Sequence, residues 1–374
     1  MSKPHITLHD IHFTGMEYFD GLTTGLHLLA EQGAIDFTLQ TTATTKPFLL
    51  HPRARPAAYR LAPKLMQALG RGWNTLISGT LQQGGKTVRF VFDAGDSPYA
   101  FQPELLAEND VYFKCQCPAD FAPAGFPLAS GAMVAWHPDV LHYRHKIRPA
   151  MLGRPLSRRL HLKDNLRALA DWQARGKTKR DLVFFAYFGT DKVSPPTGPE
   201  GALQARFGAQ IGHPNPKRGV LVEGLRSRHG AVSDARIIST DVAARRGGKL
   251  SDADFSAYAA RSWHNINISG YRRSLPFRFC DSFLLGACVP TDALAVRWYQ
   301  PLEEGTEYID LGEMGYETED AVDWSRVWTA LDDLAHEPDH RRAERAAAIN
   351  RRFEQLWHPR AFGRYLVDAL SEQL

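Results

Sequence analysis

Cysteine is scarce in this chain, with four among 374 residues. Cys115 and Cys117 form a lone C-x-C, and Cys280 and Cys288 sit in apolar surroundings. A zinc site would need a second close cysteine pair or a nearby histidine pair, and the spacing offers neither. Buried free thiols are the expected state of all four, and no zinc site is expected. Long apolar runs are also missing. Nothing approaches the ~18–20 apolar residues of a membrane-spanning helix, and the opening MSKPHITLHD lacks the apolar core of a secretory signal. A cytoplasmic protein is the expectation. No internal repeat and no low-complexity tract is visible, which sets aside solenoids and disordered linkers.

The length and the ordinary share of apolar and aromatic residues suit two domains, each with its own core. The net charge of +4 hides an asymmetry. Between Arg144 and Arg180 the many Lys and Arg face only Asp164 and Asp171, whereas between Glu303 and Asp339 the acids face only Arg326. Such blocks describe a basic inter-domain or membrane-facing side and an acidic outer side. No helix-turn-helix, RRM or zinc-finger signature accompanies the basic block, so nucleic acid is not an expected partner.

Along the chain, strand-like and helix-like segments alternate. The first half reads as a strand at Ile6–His9, a helix around Leu22–Gln32, a strand at Ile35–Gln40, a basic helix over Ala57–Leu69, and strands near Thr75–Ser78, Val88–Phe92, Val111–Lys114 and Met133–Trp136. Strands separated by helices predict parallel pairing in an α/β layer structure, with functional loops at the strand C-termini. After a helix around Leu160–Gln173, the apolar run Leu182–Phe188 capped by Gly189 reads as the first strand of a second unit. A helix at Gly201–Gln210, strands at Val220–Glu223 and Ile237–Ile238, and a helix at Asp252–Arg261 continue it. Helices from Trp324 to Leu374 close the chain.

The most informative stretch is Tyr258–Pro290, YAARSWHNINISGYRRSLPFRFCDSFLLGACVP. It reads as a helix end, a short strand, an Arg-rich loop, a helix from about Pro276 that stops at Gly286, and another strand. Arg273, Ser274 and Arg278 collect at a loop and helix start. There, free N–H groups, the helix dipole and guanidinium groups would favour a diphosphate. Asp281, one turn beyond Arg278, could accept hydrogen bonds from a ribose.

These residues resemble the nucleotide-binding half of GT-B glycosyltransferases, most nearly the exostosin-like and CgeB-like groups. The matching positions are Tyr258, Ser262, Gly270, Arg278-Phe279-Cys280-Asp281 and Gly286-Ala287-Cys288-Val289-Pro290, over about 35 residues. Asp281 departs from the Glu usual there. The resemblance implies two Rossmann-like domains facing each other across a cleft: residues 1–170 for the acceptor, 180–355 for the nucleotide-sugar, and a terminal helix over 356–374 packing back on the first domain. It implies sugar transfer from a nucleotide-sugar donor to a carbohydrate or lipid-linked acceptor, in cell-surface polysaccharide or glycoconjugate synthesis, with no metal and the nucleotide-sugar as co-substrate. Gly189 then resembles the donor-phosphate loop, and Arg226 and Arg228 are further donor-cleft candidates.

An inverting transfer needs a general base on the acceptor side. Asp10, Asp20, Asp93, Asp96 and His137 lie at first-half strand ends, with Asp96 and Asp20 the preferred pair; Asx-turns account equally for Asp93 and Asp96. Other motifs weigh less. SGTLQQGGKT mimics a P-loop, but the glycine spacing fails and a strand follows, so Gly84-Gly85 reads as a hairpin turn. Asp252-Ala253-Asp254 has metal-binding D-x-D spacing at a helix start, where acids cap. The basic helix over Ala57–Leu69 suits a buried stripe or an anionic membrane face, the latter placing the protein peripherally at the inner surface. Two alternatives to glycosyl transfer stay open: phosphoryl or sugar-phosphate transfer in the same cleft, and non-catalytic nucleotide or polyanion binding by the basic block.

Overall fold

The computed structural model describes residues 2–11, 18–41, 75–128, 133–151, 153, 156, 162–189, 215–238, 250–269, 272–313 and 322–374. The helices expected at Ala57–Leu69 and Gly201–Gln210 and the position Gly270 lie outside the described residues.

The first half contains β1 (His5–Ile11), α1 (Asp20–Glu31), β2 (Asp36–Thr41), β3 (Leu76–Gln83), β4 (Lys86–Asp93), α2 (Pro103–Glu108), β5 (Val111–Lys114), β6 (Cys117–Pro118), β7 (Phe126–Pro127), β8 (Met133–Val134), α3 (Pro138–His142), β9 (Ile147–Pro149) and α4 (Leu162–Arg175). Six strands form one sheet in the order β2-β1-β3-β4-β5-β9. Parallel pairing fails at one strand: β3 runs antiparallel to both β1 and β4. The reason is the Gly84-Gly85 turn, in which both residues take positive φ (60° and 81°) and fold β3 directly back into β4. The remaining strands point one way, so Asp93, Lys114 and the start of α1 share the C-terminal edge.

The second half contains β10 (Leu182–Gly189), α5 (Asn215–His229), β11 (Ser233–Ile238), α6 (Asp252–Arg261), β12 (Ser262–Ile266), α7 (Arg278–Leu284), β13 (Val289–Thr291), β14 (Val296–Arg297) and β15 (Tyr308–Asp310). It ends in α8 (Trp324–His336), α9 (Asp339–Arg352) and α10 (Pro359–Ser371). The strand expected at Val220–Glu223 is the middle of α5, because Leu221, Val222 and Leu225 bury one helical face and tertiary packing overrides the β-branched propensity. Strands β11, β10 and β12 pair in parallel. The bridges His264–Cys288 and Asn267–Thr291 add β13, which pairs in parallel with β15. The chain therefore steps from β10 to β11 in one direction and from β12 to β13 in the other, placing a topological switch point between β10 and β12.

Along β10, Phe184, Ala186 and Phe188 face the core beneath α5 and α8, while Phe185 and Tyr187 face that beneath α6 and α7. This is the two-residue alternation of a sheet covered on both faces. The second of these cores is continuous with the core of the first sheet. The halves also exchange strands: β6 pairs antiparallel with β14. Helix α10 crosses α1 at paired glycines, where a Cβ on Gly25 would come within 2.2 Å of the Pro359 carbonyl oxygen. Among the described residues no helix is long and apolar enough to cross a membrane.

Candidate functional site

At the switch point, β10 ends at Gly189, in register with Ile238, and β12 runs on into Asn267, Ile268 and Ser269. The first described turn of α5 brings Lys217 and Arg218 onto this edge. Both are buried, at 3% and 9% exposure. The Arg218 guanidinium donates to the Ile268 carbonyl at 3.1 Å and lies 5.4 Å from the centre of the Phe188 ring, which fixes α5 over the end of β12. Lys217 Nζ stands 3.7 Å from Asp292, just beyond β13. The Asp292 carboxylate also accepts the Ser269 N–H at 2.8 Å, the Ser269 hydroxyl, and the Thr291 hydroxyl at 3.3 Å. Burial pushes the Lys217 ammonium down to about 8; Asp292 opposes that shift, and Arg218 and Arg273 reinforce it.

Arg273 approaches from the loop after β12. Its side chain is 11% exposed, and its Nη2 donates to Glu313 at 2.8 Å and to the Ala293 carbonyl at 3.3 Å. Three cations thus converge near two carboxylates at the C-terminal edge of a parallel sheet and at the start of a helix. This is chemistry suited to a phosphate group.

The other sequence candidates disperse. Ser274 is half-buried on the same loop. Arg278, half-buried, and Asp281, buried, lie on the face of the second sheet that α6 and α7 cover. They line a cavity of about 10 Å³ with Tyr187, Asn265 and Ser282, close to the size that holds one water. Asp281 is only 6% exposed because α7 is seven residues long and buries everything from Phe279 to Leu284. Arg226, expected beyond a strand, occupies the last turn of α5, where its Nε donates to the Ala235 carbonyl at 2.9 Å. Arg228 is there too, over the Trp328 ring and 3.7 Å from Asp332. Both are at the end of α5 remote from Lys217.

On the first sheet's edge, Asp20 is fully buried at the start of α1, its Oδ2 accepting the Leu156 N–H at 2.9 Å. Asp96 is exposed. Its loop is clamped from below: Asp93 accepts the Gly95 N–H, the Tyr112 hydroxyl and the Lys114 ammonium, each at 2.7 Å, and Lys114 also donates to the Ala100 carbonyl at 2.9 Å. His137 caps α3 by accepting the Asp139 N–H. Ser251 caps α6 by accepting the Asp254 N–H at 3.1 Å.

Part of the basic block serves the fold. Lys146 donates to the Ala107 and Asn109 carbonyls at 2.9 Å, ending α2, and Arg180 to the carbonyls of Ser262 and Leu285. An open groove of about 620 Å³ between α4 and α6 lies at the start of the parallel strands, lined by Arg175, Lys179 and alanines, with Arg261 there held by Asp181 at 2.8 and 2.5 Å. All four cysteines are free and buried. Among the described residues no group of three or more His, Cys, Asp or Glu gathers as a metal would need.

Lys217, Arg218, Ser269 and Asp292 escaped the sequence reading. The N-P-K-R run carried a signal, since Pro216 belongs to a helix's first turn and brings the two cations to its start. Asp292, an acid directly beyond the buried strand V-P-T, carried another.

The sequence matches no protein-family model and no curated protein. Among solved structures, one similar chain is from a GtfA/B complex, 9% identical, covering 79% of this chain and 65% of that one, with a TM-score of 0.38. This chain thus spans just under two thirds of that chain's length. Another is Anabaena Alr3699/HepE in complex with UDP, 10% identical, covering 97% of this chain and 98% of that one, with a TM-score of 0.37.

Proposed function

We propose that the chain is a GT-B-type glycosyltransferase that moves a sugar from a nucleotide-sugar donor to a carbohydrate or lipid-linked acceptor. One observation carries this reading: Lys217, Arg218 and Arg273 converge at the switch point of the second sheet, with the Lys217 ammonium already destabilised by burial. A donor diphosphate seated there beside Gly189 would be stabilised electrostatically by these cations as it becomes the leaving group. The anomeric C–O bond breaks with its electron pair going to the diphosphate oxygen, and the acceptor oxygen forms the new bond. The acceptor proton goes to Asp96, an exposed acid in the loop after β4. No step is assigned to a metal ion. Residues 1–170 carry the acceptor, 180–355 the donor, and α10 ties the two by its crossing with α1.

Thermal-shift and transfer assays with UDP-, GDP- and dTDP-sugars test the reading. A ligand that binds only the folded state raises the melting temperature. Release of nucleoside diphosphate with sugar appearing on the acceptor is the expected result, whereas release of nucleoside monophosphate means sugar-phosphate transfer instead. Binding of no nucleotide at all overturns the proposal.

A further inference from the structure

The residue between the two cysteines of the C-x-C motif is Gln116, fully buried just beyond the C-terminal end of β5. Its amide makes two hydrogen bonds to one residue of the other half: Oε1 accepts the Leu275 N–H at 2.8 Å and Nε2 donates to the Leu275 carbonyl at 2.7 Å. A side-chain amide that satisfies both backbone groups of one residue stands in for a strand partner and fixes that residue's position and orientation. The same loop is pinned again two residues on, where Phe277 stacks on Tyr18 of the first half at 5.6 Å.

Two residues before Leu275 stands Arg273, with φ of +55° the one non-glycine residue of left-handed backbone among the described residues. An arginine stays in that region only where its surroundings enforce it. The enforcement comes from both sides. Glu313 and the Ala293 carbonyl hold the guanidinium from the second half, and Gln116 holds the backbone from the first. The guanidinium so placed acts on the Lys217 ammonium.

We infer that Gln116 is a positioning residue of the anion site: by locking Leu275, the first half keeps Arg273 in its strained conformation and its guanidinium in the cluster with Lys217. The diphosphate this cluster would hold rests on the function proposed above, but the positioning itself does not. Donor affinity thereby becomes sensitive to the fit between the halves.

Two measurements separate the claims. The first needs no nucleotide. With lysine labelled at Cε, NMR follows the titration of Lys217, assigned by its loss in Lys217→Met. In the parent the midpoint is expected at about 8. Arg273→Ala removes a neighbouring positive charge and raises the midpoint. Gln116→Met, of similar volume but unable to bond Leu275, is expected to raise it in the same direction, and to add nothing in the Arg273→Ala background. If Gln116→Met fails to fold, Gln116→Asn, which keeps both groups on a shorter arm, takes its place with a smaller shift of the same sign. A midpoint that stays at the parent value in a folded Gln116 variant overturns the inference, as does a shift that adds fully to that of Arg273→Ala. The second measurement is nucleoside-diphosphate affinity, expected to fall about tenfold in Gln116→Met and no further when Arg273→Ala is already present, since what is lost is a hydrogen bond to a charged group. A parent protein that binds no nucleotide overturns the proposed function, while the Lys217 titration still decides the role of Gln116.

Discussion

Two buried lysine–aspartate pairs occupy equivalent places in the two halves, and they are built differently. Lys114 and Asp93 sit at the C-terminal edge of the first sheet, 2.7 Å apart, with the carboxylate also bonded by Tyr112 and Gly95 and the ammonium by a carbonyl beneath it. Lys217 and Asp292 sit at the C-terminal edge of the second sheet, 3.7 Å apart, and Asp292 spends its oxygens mainly on Ser269 and Thr291. The first pair has matched charges and a full set of hydrogen bonds, so it holds a loop. In the second, Lys217, Arg218 and Arg273 gather near Asp292 and Glu313 at the C-terminal edge of a parallel sheet, the kind of edge at which such folds bind ligands.

Breaking the first pair should have the largest effect on folding. Asp93→Ala leaves the Lys114 ammonium buried without its carboxylate and the Tyr112 hydroxyl without its acceptor. The expected loss is about 3–5 kcal/mol, read from urea or thermal unfolding. Nucleotide affinity per folded molecule should not change. A variant that unfolds like the parent but binds nucleotide poorly would reverse the roles assigned to the two pairs.

How far the sequence disclosed this contrast differs between the sheets. Punctuation was legible, because glycine's backbone freedom is a local property. The Gly84-Gly85 turn and the stop of α7 at Gly286, with φ of +66°, fall where the residues place them. The run at β10 was legible as a strand buried on both faces. The start of α5 was not: the short apolar run of Val220, Leu221 and Val222 suits either period, and only the tertiary packing of Leu221 and Leu225 decides it. With the helix went Lys217 and Arg218, and Arg226, expected beyond a strand, is in the last turn of that helix. The burial of Asp281 was hidden for another reason. Spacing puts it one turn from Arg278, but only the packing of a very short helix says that this face points into the sheet. Gln116 was hidden between two cysteines that drew attention as a metal motif, and a two-ended amide contact across 159 positions leaves no local trace.

Breaking the second pair should spare the fold and remove the ligand. Lys217→Met exchanges a buried ammonium, already costly to desolvate, for an apolar side chain of similar length, while Asp292 keeps its bonds from Ser269. Stability is expected to fall by less than in Asp93→Ala, because the lost ammonium is itself disfavoured by burial. Binding of a nucleoside diphosphate should weaken by about 1.5–3 kcal/mol, the range for hydrogen bonds to charged groups, measured by calorimetry. A variant that loses stability while its affinity stays intact would place Lys217 with Lys114, among the structural lysines.

The smallest effect, at neutral pH, is on the titration itself, and its sign separates the pairs most cleanly. The Lys217 ammonium is depressed by burial to about 8 in the folded protein from an ordinary 10.5. A bound diphosphate stabilises the charged form, so the complex holds its proton to higher pH than the free protein does. Affinity should therefore be flat below pH 8 and fall above it, by up to about tenfold per pH unit until the complex itself deprotonates. The stability of the free protein moves the other way. Below pH 8 the folded state carries the cost of a desolvated ammonium; above it the unfolded chain binds the extra proton, so Lys217's contribution to stability improves as pH rises towards 10.5. Unfolding curves of the free protein and calorimetry with the nucleotide, both run from pH 7 to 9.5, test the two signs together. Lys217→Arg, which stays charged throughout, should abolish the fall in affinity over this range. A parent whose affinity is flat through pH 9 would mean that Lys217 does not touch the ligand's charge, whatever binds at the switch point.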